Sequence, residues 1–169
     1  MTGLDYAFYN TPCASTSCGV VQMDNCPITG YVMDDSSIRT AVTAWTSNAA
    51  TAEATYGHIS TWETSGVTDM SDLFSWTSFN EDIGAWDTSG VTSMVRLFQD
   101  APSFNQDIGG WSVGAVIDME YMFEEASAFD QDLGWCVDDD VILTDAFLNA
   151  PCASTSCGVT QGSCTQRNF

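Results

Sequence analysis

The sequence predicts an α/β solenoid. About four coils of 24–25 residues, with short strands and single helical turns, would lie between an N-terminal helical cap and a disulfide-stapled C-terminal cap. Three observations predict it. First, Trp62, Trp86, Trp111 and Trp135 recur at steps of 24, 25 and 24, and Phe74, Phe98, Phe123 and Phe147 repeat the same steps. A unit this short cannot bury its apolar side alone, whereas stacked copies bury a continuous column. Second, LDYAFYNTPCASTSCGV at 4–20 returns as LTDAFLNAPCASTSCGV at 143–159, an offset of 139. Third, the seven cysteines cluster at the two ends, with none between 27 and 135.

The elements follow in chain order. Residues 1–26 duplicate the C-terminal end of the chain and read as the end of a preceding module. Residues 27–57 carry no repeat and read as the cap. Asp34-Asp35-Ser36-Ser37 precedes Ile38, Val42 and Trp45, the pattern of an N-capped amphipathic helix with acids at its positive end. Asn48 to Tyr56 is Ala-rich and meets Gly57, placed as a helix C′ residue. This helical hairpin is expected to cover the edge of the first coil. Residues 58–147 are the repeats, with the unit FNxDIxxWxTSxVTxMxxLF visible at 79–98. Gly90–Met94 alternates and is β-branched, which predicts a strand. Leu97-Phe98 and Met122-Phe123 read as single helical turns. Residues 148–169 form the Cys-rich cap and tail. The last unit slips: Asp140 takes the Val slot and Leu143 the Met slot, as expected of a terminal copy.

Charge narrows the function. Asp plus Glu number 23 against 3 Lys plus Arg, a net charge of −20, which repels nucleic-acid phosphate and anionic membranes. No apolar run is long enough to span a bilayer, so membrane insertion is not expected. The chain opens without a charged-then-apolar leader, so a secretion signal is expected outside it. Six Trp and nine Phe argue for a folded chain.

Cys13, Cys18, Cys26, Cys136, Cys152, Cys157 and Cys164 read as disulfide staples in an oxidising compartment. Zinc is the rival, but the tight spacing is C-x4-C and His58 is the only histidine. Cys136, Cys152, Cys157 and Cys164 predict two bridges with three connectivities open. Cys13, Cys18 and Cys26 leave one cysteine over, whose partner is expected upstream; the alternative is one free thiol. Asp82, Asp107 and Asp132 recur at 25 and 25, with Asn80, Asn105 and Asp130 two residues before. Two readings compete. The side chains can bond the backbone of their own or the next unit, the favoured reading. Otherwise Ca²⁺ bridges neighbouring carboxylates there, with Asp138-Asp139-Asp140 a second cation candidate. No other cofactor is indicated. No phosphate-binding loop, nucleophile elbow or dinucleotide fingerprint occurs, and His58 lacks triad partners, so no enzyme activity is expected. His58 reads as a packed or capping residue.

VTSMVRLFQDAPSFNQDIGGWSV, with V-T-x-M, L-F and F-N-x-D-I-x-x-W, resembles the repeat of about 25 residues in BspA-like bacterial surface proteins and mycoplasma surface lipoproteins. The stretches YVMDDSSIRTAVTAW and EATYGHISTWETSGVTDMSDLF resemble arrays of such repeats in marine microalgae. The resemblance covers about residues 31–147. It implies a leucine-rich-repeat-like solenoid, an extracellular or cell-surface location, and adhesion or partner binding without catalysis. Ser112–Ile117 departs from the pattern. The expected function is an extracellular structural or adhesive module of a tandem-repeat surface or filament protein, whose partners are neighbouring modules or copies of itself. The alternative is a ligand- or Ca-binding, receptor-like recognition module.

Overall fold

The computed structural model describes residues 30–152, 154 and 156–164. The expected fragment 1–26, with Cys13, Cys18 and Cys26, lies outside the described residues.

Regular structure is sparse. A short strand β1 (Val32–Asp34) leads into helix α1 (Asp35–Ser47), followed by α2 (Ala49–Tyr56), a 3-10 turn at Ile59–Thr61 and strand β2 (Glu63–Gly66). Much later come β3 (Cys136–Val137) and β4 (Thr160–Gln161). β1 pairs parallel with β2, and β3 with β4, as two separate two-stranded sheets.

Helix α1 starts where its side chains offer the backbone a partner. Asp34 Oδ1 accepts from the amides of Ser36 (3.0 Å) and Ser37 (2.7 Å), and Ser37 Oγ accepts from Asp34 N–H (2.9 Å), a full capping box. Such a cap contributes about 1 kcal/mol. Ile38, Ala41, Val42 and Trp45 form its buried face. Asn48 ends α1 and caps α2, its Oδ1 accepting from Thr51 N–H at 3.1 Å. Gly57 ends α2 at φ 74°, a conformation that favours glycine.

The expected leucine-rich-repeat-like solenoid, with a strand and a helical turn in each coil, is not formed. Beyond the two helices and the two small parallel sheets, Gly90–Met94 is not a strand: Ser93 makes only isolated parallel bridges, to Asp69 and Asp118. Leu97-Phe98 and Met122-Phe123 are not helical turns either. The physical reason lies in the backbone. Arg96, Asp100, Tyr121 and Glu125 have φ of 53°, 51°, 56° and 57°, in the left-handed region that neither a strand nor an α-helix uses. Between them run short-range turn bonds, such as Leu97 N–H to Met94 C=O (3.2 Å) and Gln99 N–H to Arg96 C=O (3.2 Å).

These linked turns pair sideways with their neighbours. The amides of Met70, Asp72, Phe74 and Trp76 donate to the carbonyls of Ser93, Val95, Leu97 and Gln99 at 2.9–3.0 Å. Those of Met94, Arg96, Phe98 and Asp100 donate to Asp118, Glu120, Met122 and Glu124 at 2.8–2.9 Å. Every second peptide of this stretch therefore points its N–H toward the following unit and its C=O toward the preceding one. In the first unit the carbonyls of Asp69 and Ser71 face α1. There Arg39 supplies a cation: Nη1 donates to Ser71 C=O (2.6 Å), and Nη2 to Asp69 C=O (3.3 Å) and Asp69 Oδ2 (2.8 Å). A positive charge at the carbonyl end of aligned peptide dipoles is the favourable polarity. Because the ion pair is part-exposed, Arg39→Met is expected to cost only about 1 kcal/mol, and Arg39→Lys to recover part of it. Denaturant midpoints check this, and an unchanged Arg39→Met midpoint would remove the capping role.

The core is a set of aromatic files. Phe74–Phe98, Phe98–Phe123 and Phe123–Phe147 stack with ring centroids 5.5, 5.3 and 5.8 Å apart. Phe79–Phe104–Phe129 form a second file at 6.2 and 6.0 Å, and Trp62–Trp86–Trp111 a third at 6.1 and 6.5 Å. The indoles of the four repeat tryptophans donate to carbonyls: Trp62 Nε1 to Gly57 (3.1 Å), Trp86 to Ile59 (2.9 Å), Trp111 to Ile83 (3.1 Å) and Trp135 to Gly109 (3.2 Å). The buried hydroxyls of Thr64 and Thr88 donate to the carbonyls of Asp87 and Ser112 at 3.0 Å. Among the described residues no buried side-chain N or O lacks a partner.

Candidate functional surfaces

The acidic residues serve the backbone first. Asp82 Oδ1 accepts from Gly84 N–H (2.9 Å) and Asp107 Oδ1 from Gly109 N–H (3.0 Å). Asp69, Asp87 and Asp118 bond the amide two residues on in the same way. Asp132 lies against Gly158, where a side chain would collide with its carboxylate; Gly158 also has φ 79°. Asp138, Asp139 and Asp140 are exposed, and Asp138 C=O accepts from Val141 N–H at 3.2 Å. Among the described residues no group of three His, Cys, Asp or Glu is placed to hold a metal ion.

The asparagines form the layer-to-layer ladder. Asn80 Oδ1 accepts from Asn105 N–H (2.9 Å) and Gln106 Nε2 (3.0 Å). Asn105 Oδ1 accepts from Asp130 N–H (3.0 Å) and Gln131 Nε2 (2.7 Å). The glutamines were not singled out in the sequence. Their recurrence at 106 and 131, after Asn105 and Asp130 at a step of 25, was the available signal.

Several carboxyls are perturbed. Backbone and side-chain hydrogen bonds from Ser37 hold Asp34 below the ordinary carboxylate value, and the hydroxyl and amide of Ser89 do the same for Asp87. Burial raises Asp35 and Asp69, but the bonds outweigh it: Thr68 and Asp69 amides at Asp35, Ser71 and then Arg39 at Asp69. Asp100 is raised, by burial and then by the charges of Glu125 and Glu124. The signs oppose. A depressed carboxyl contributes stability above its unfolded pKa of about 3.9 that is lost as pH falls through the folded value; protonating Asp100 instead relieves repulsion. With four depressed against one raised, Tm is expected to fall on acidification from about pH 4 downward. A Tm that holds or rises down to about pH 2.5 would contradict these assignments.

The two bridges at the C-terminal end are Cys136–Cys164 and Cys152–Cys157. His58 caps the 3-10 turn, its Nδ1 accepting from Ser60 N–H at 3.3 Å, with its ring edge-on to Trp45 at 5.2 Å.

Two grooves of about 470 Å³ lie on the surface. One, near the helical hairpin, is lined by Trp45, Thr46, Trp76, Ser78, Asn80 and Glu81 among others. The other runs along Leu143, Phe147, Leu148, Asn149 and Cys152. Trp76 was not anticipated as a surface residue. It is 73% exposed, and its signal was that it breaks the repeat pattern.

The family described as "Mycoplasma protein of unknown function, DUF285" matches residues 40–157. No curated protein and no solved structure matches the chain.

Proposed function

The chain belongs to that mycoplasma family of unknown function, and from this premise we propose that it is an extracellular structural or adhesive module of a tandem-repeat surface protein. The observation that carries the reading is the duplication at an offset of 139, in which PCASTSCGV stands unchanged at 12–20 and 151–159. Modules repeated at this fidelity multiply weak contacts into avidity. Two further features support it. Disulfides at Cys136–Cys164 and Cys152–Cys157 suit an oxidising compartment. The described residues contain no helix long and apolar enough to cross a membrane. Its partners are then neighbouring modules or copies of itself, and its work is binding.

Antibodies raised against the chain test the location on intact, unpermeabilised cells, and chain-coated beads test adhesion. Surface labelling with retention of the beads above an albumin control is expected. Labelling only after permeabilisation, or retention equal to the control, would overturn the proposal.

A further inference from the structure

We propose that the groove beside Trp76 binds a neutral pyranose sugar, as part of a polysaccharide or glycan. The internal repeats supply the control. Trp76, Asp100, Glu125 and Asn149 occupy the same slot of four successive units, at φ 59°, 51°, 57° and 62°. Asp and Asn suit this left-handed slot, and a bulky aromatic is an uncommon occupant of it. Trp76 gains little from folding to offset that, because its side chain stays in water. Its backbone amide bonds Gln99 C=O as any residue would. The fold therefore explains the slot but not the indole, and backbone strain under an exposed side chain points to a use outside the fold.

Further departures converge on the same groove. Glu81 stands where the later units have Gln106 and Gln131, each of which donates back to the preceding asparagine. Asn80 is the first rung of the ladder, so no earlier asparagine stands before Glu81 to receive a donor, and the exposed Glu81 carboxylate offers two acceptors at the groove. Thr77 stands where Ala101, Ala126 and Ala150 follow the other Phe residues by three, and its hydroxyl serves the turn itself, donating to Phe74 C=O at 2.7 Å. The turn is also shorter by one residue, Phe74 to Phe79 against Phe98 to Phe104 and Phe123 to Phe129.

The chemistry of this set selects the ligand. The volume lies within the range of roughly 300–1,000 Å³ typical of small-molecule clefts. A flat indole accepts the polarised C–H face of a pyranose against its negative π surface. Asn80 has spent its Oδ1 inside the ladder, which leaves Nδ2 to donate, while Glu81 accepts and Ser78 does either. Donors and acceptors around an aromatic floor match adjacent ring hydroxyls. Glu81 and the net charge of −20 exclude an anionic ligand. A cation would use Glu81 and the indole but leave the Asn80 and Ser78 donors without a role.

The inference deepens the adhesive reading by naming its ligand, but its test uses the purified chain and can fail separately from the cell-surface assays. Cellohexaose, laminarihexaose and mannohexaose are titrated separately to about 10 mM while the indole N–H resonances and fluorescence are followed, with choline as the cationic control. At least one hexaose is expected to shift the Trp76 indole with Kd of about 1 mM. Trp76→Asp, the residue of the next unit, should keep the fold and weaken binding by about tenfold or more, whereas Trp76→Phe should retain part of it. Silence from all three hexaoses, a choline shift without a sugar shift, or sugar binding untouched by Trp76→Asp would each overturn the site. So would concentration-dependent self-association lost in Trp76→Asp, which would assign the indole to a contact between copies.

Discussion

Phe98→Ala is expected to destabilise the chain by about 3–5 kcal/mol. The ring is fully buried and lies between Phe74 and Phe123 in its own file, with Phe104 3.8 Å away and Trp111 6.3 Å away. Removing it takes out the transfer free energy of a benzyl group and leaves a void between two layers that cannot close. Collapse is blocked because the layers are spaced by backbone bonds: Phe98 N–H donates to Met122 C=O, and Phe74 N–H to Leu97 C=O. Phe98→Leu refills most of the volume and should cost less than half as much. Phe147→Ala is the internal comparison. Phe147 stacks on one ring of its file, Phe123, and is only partly buried, so its cost should be about half that of Phe98→Ala. Urea unfolding of the three variants checks the ranking, and equal losses at 98 and 147 would refute the layered account.

The ring files were legible in the sequence and the backbone beneath them was not, for separable reasons. The steps of 24 and 25 from Phe74 to Phe147 express side-chain register, which an apolar pattern records directly. They say nothing of φ. Arg96 and Tyr121 carry side chains with no preference for the left-handed region, so the linked turns that replace strands and helices left no mark of their own. The helical hairpin was readable because its signals are local: Asp34 and Asn48 as caps, Gly57 as a stop. Nothing local in the sequence marks Arg39, since its role depends on carbonyls about thirty positions away. Among site residues, the three aspartates at steps of 25 were visible, and of the two readings offered for them the structure displays backbone bonds at Asp82 and Asp107. Trp76 matches no landmark of the repeat, so the shared register does not mark it. The informative positions were those where the first unit disagrees with the other three.

Loss of the Cys136–Cys164 bridge is expected to cost about 3–4 kcal/mol and to lower Tm by about 10 °C. The estimate rests on the separation of 28 residues, because closing a longer loop removes more freedom from the unfolded chain. Cys152–Cys157 closes only 5 residues and should be worth about 2 kcal/mol. Geometry adds a local effect that chain entropy omits. Cys136 opens β3, and Cys164 follows β4, which is held to β3 by Thr160 N–H to Trp135 C=O (2.9 Å) and Gly162 N–H to Val137 C=O (3.1 Å). A two-residue ladder is not stable by itself, so the bridge keeps the closing segment on Trp135 and Val137. The paired Cys136→Ser/Cys164→Ser variant should therefore lose amide protection at 157–162 before the aromatic files open, whereas Cys152→Ser/Cys157→Ser should leave that protection largely intact. Calorimetry gives the first number and hydrogen exchange the second. Non-reducing peptide mapping should recover Cys136 with Cys164, and Cys152 with Cys157. Any other pairing, or a Tm indifferent to the loss of Cys136–Cys164, would mean that the terminal segment is held by the ladder and Val159 packing alone.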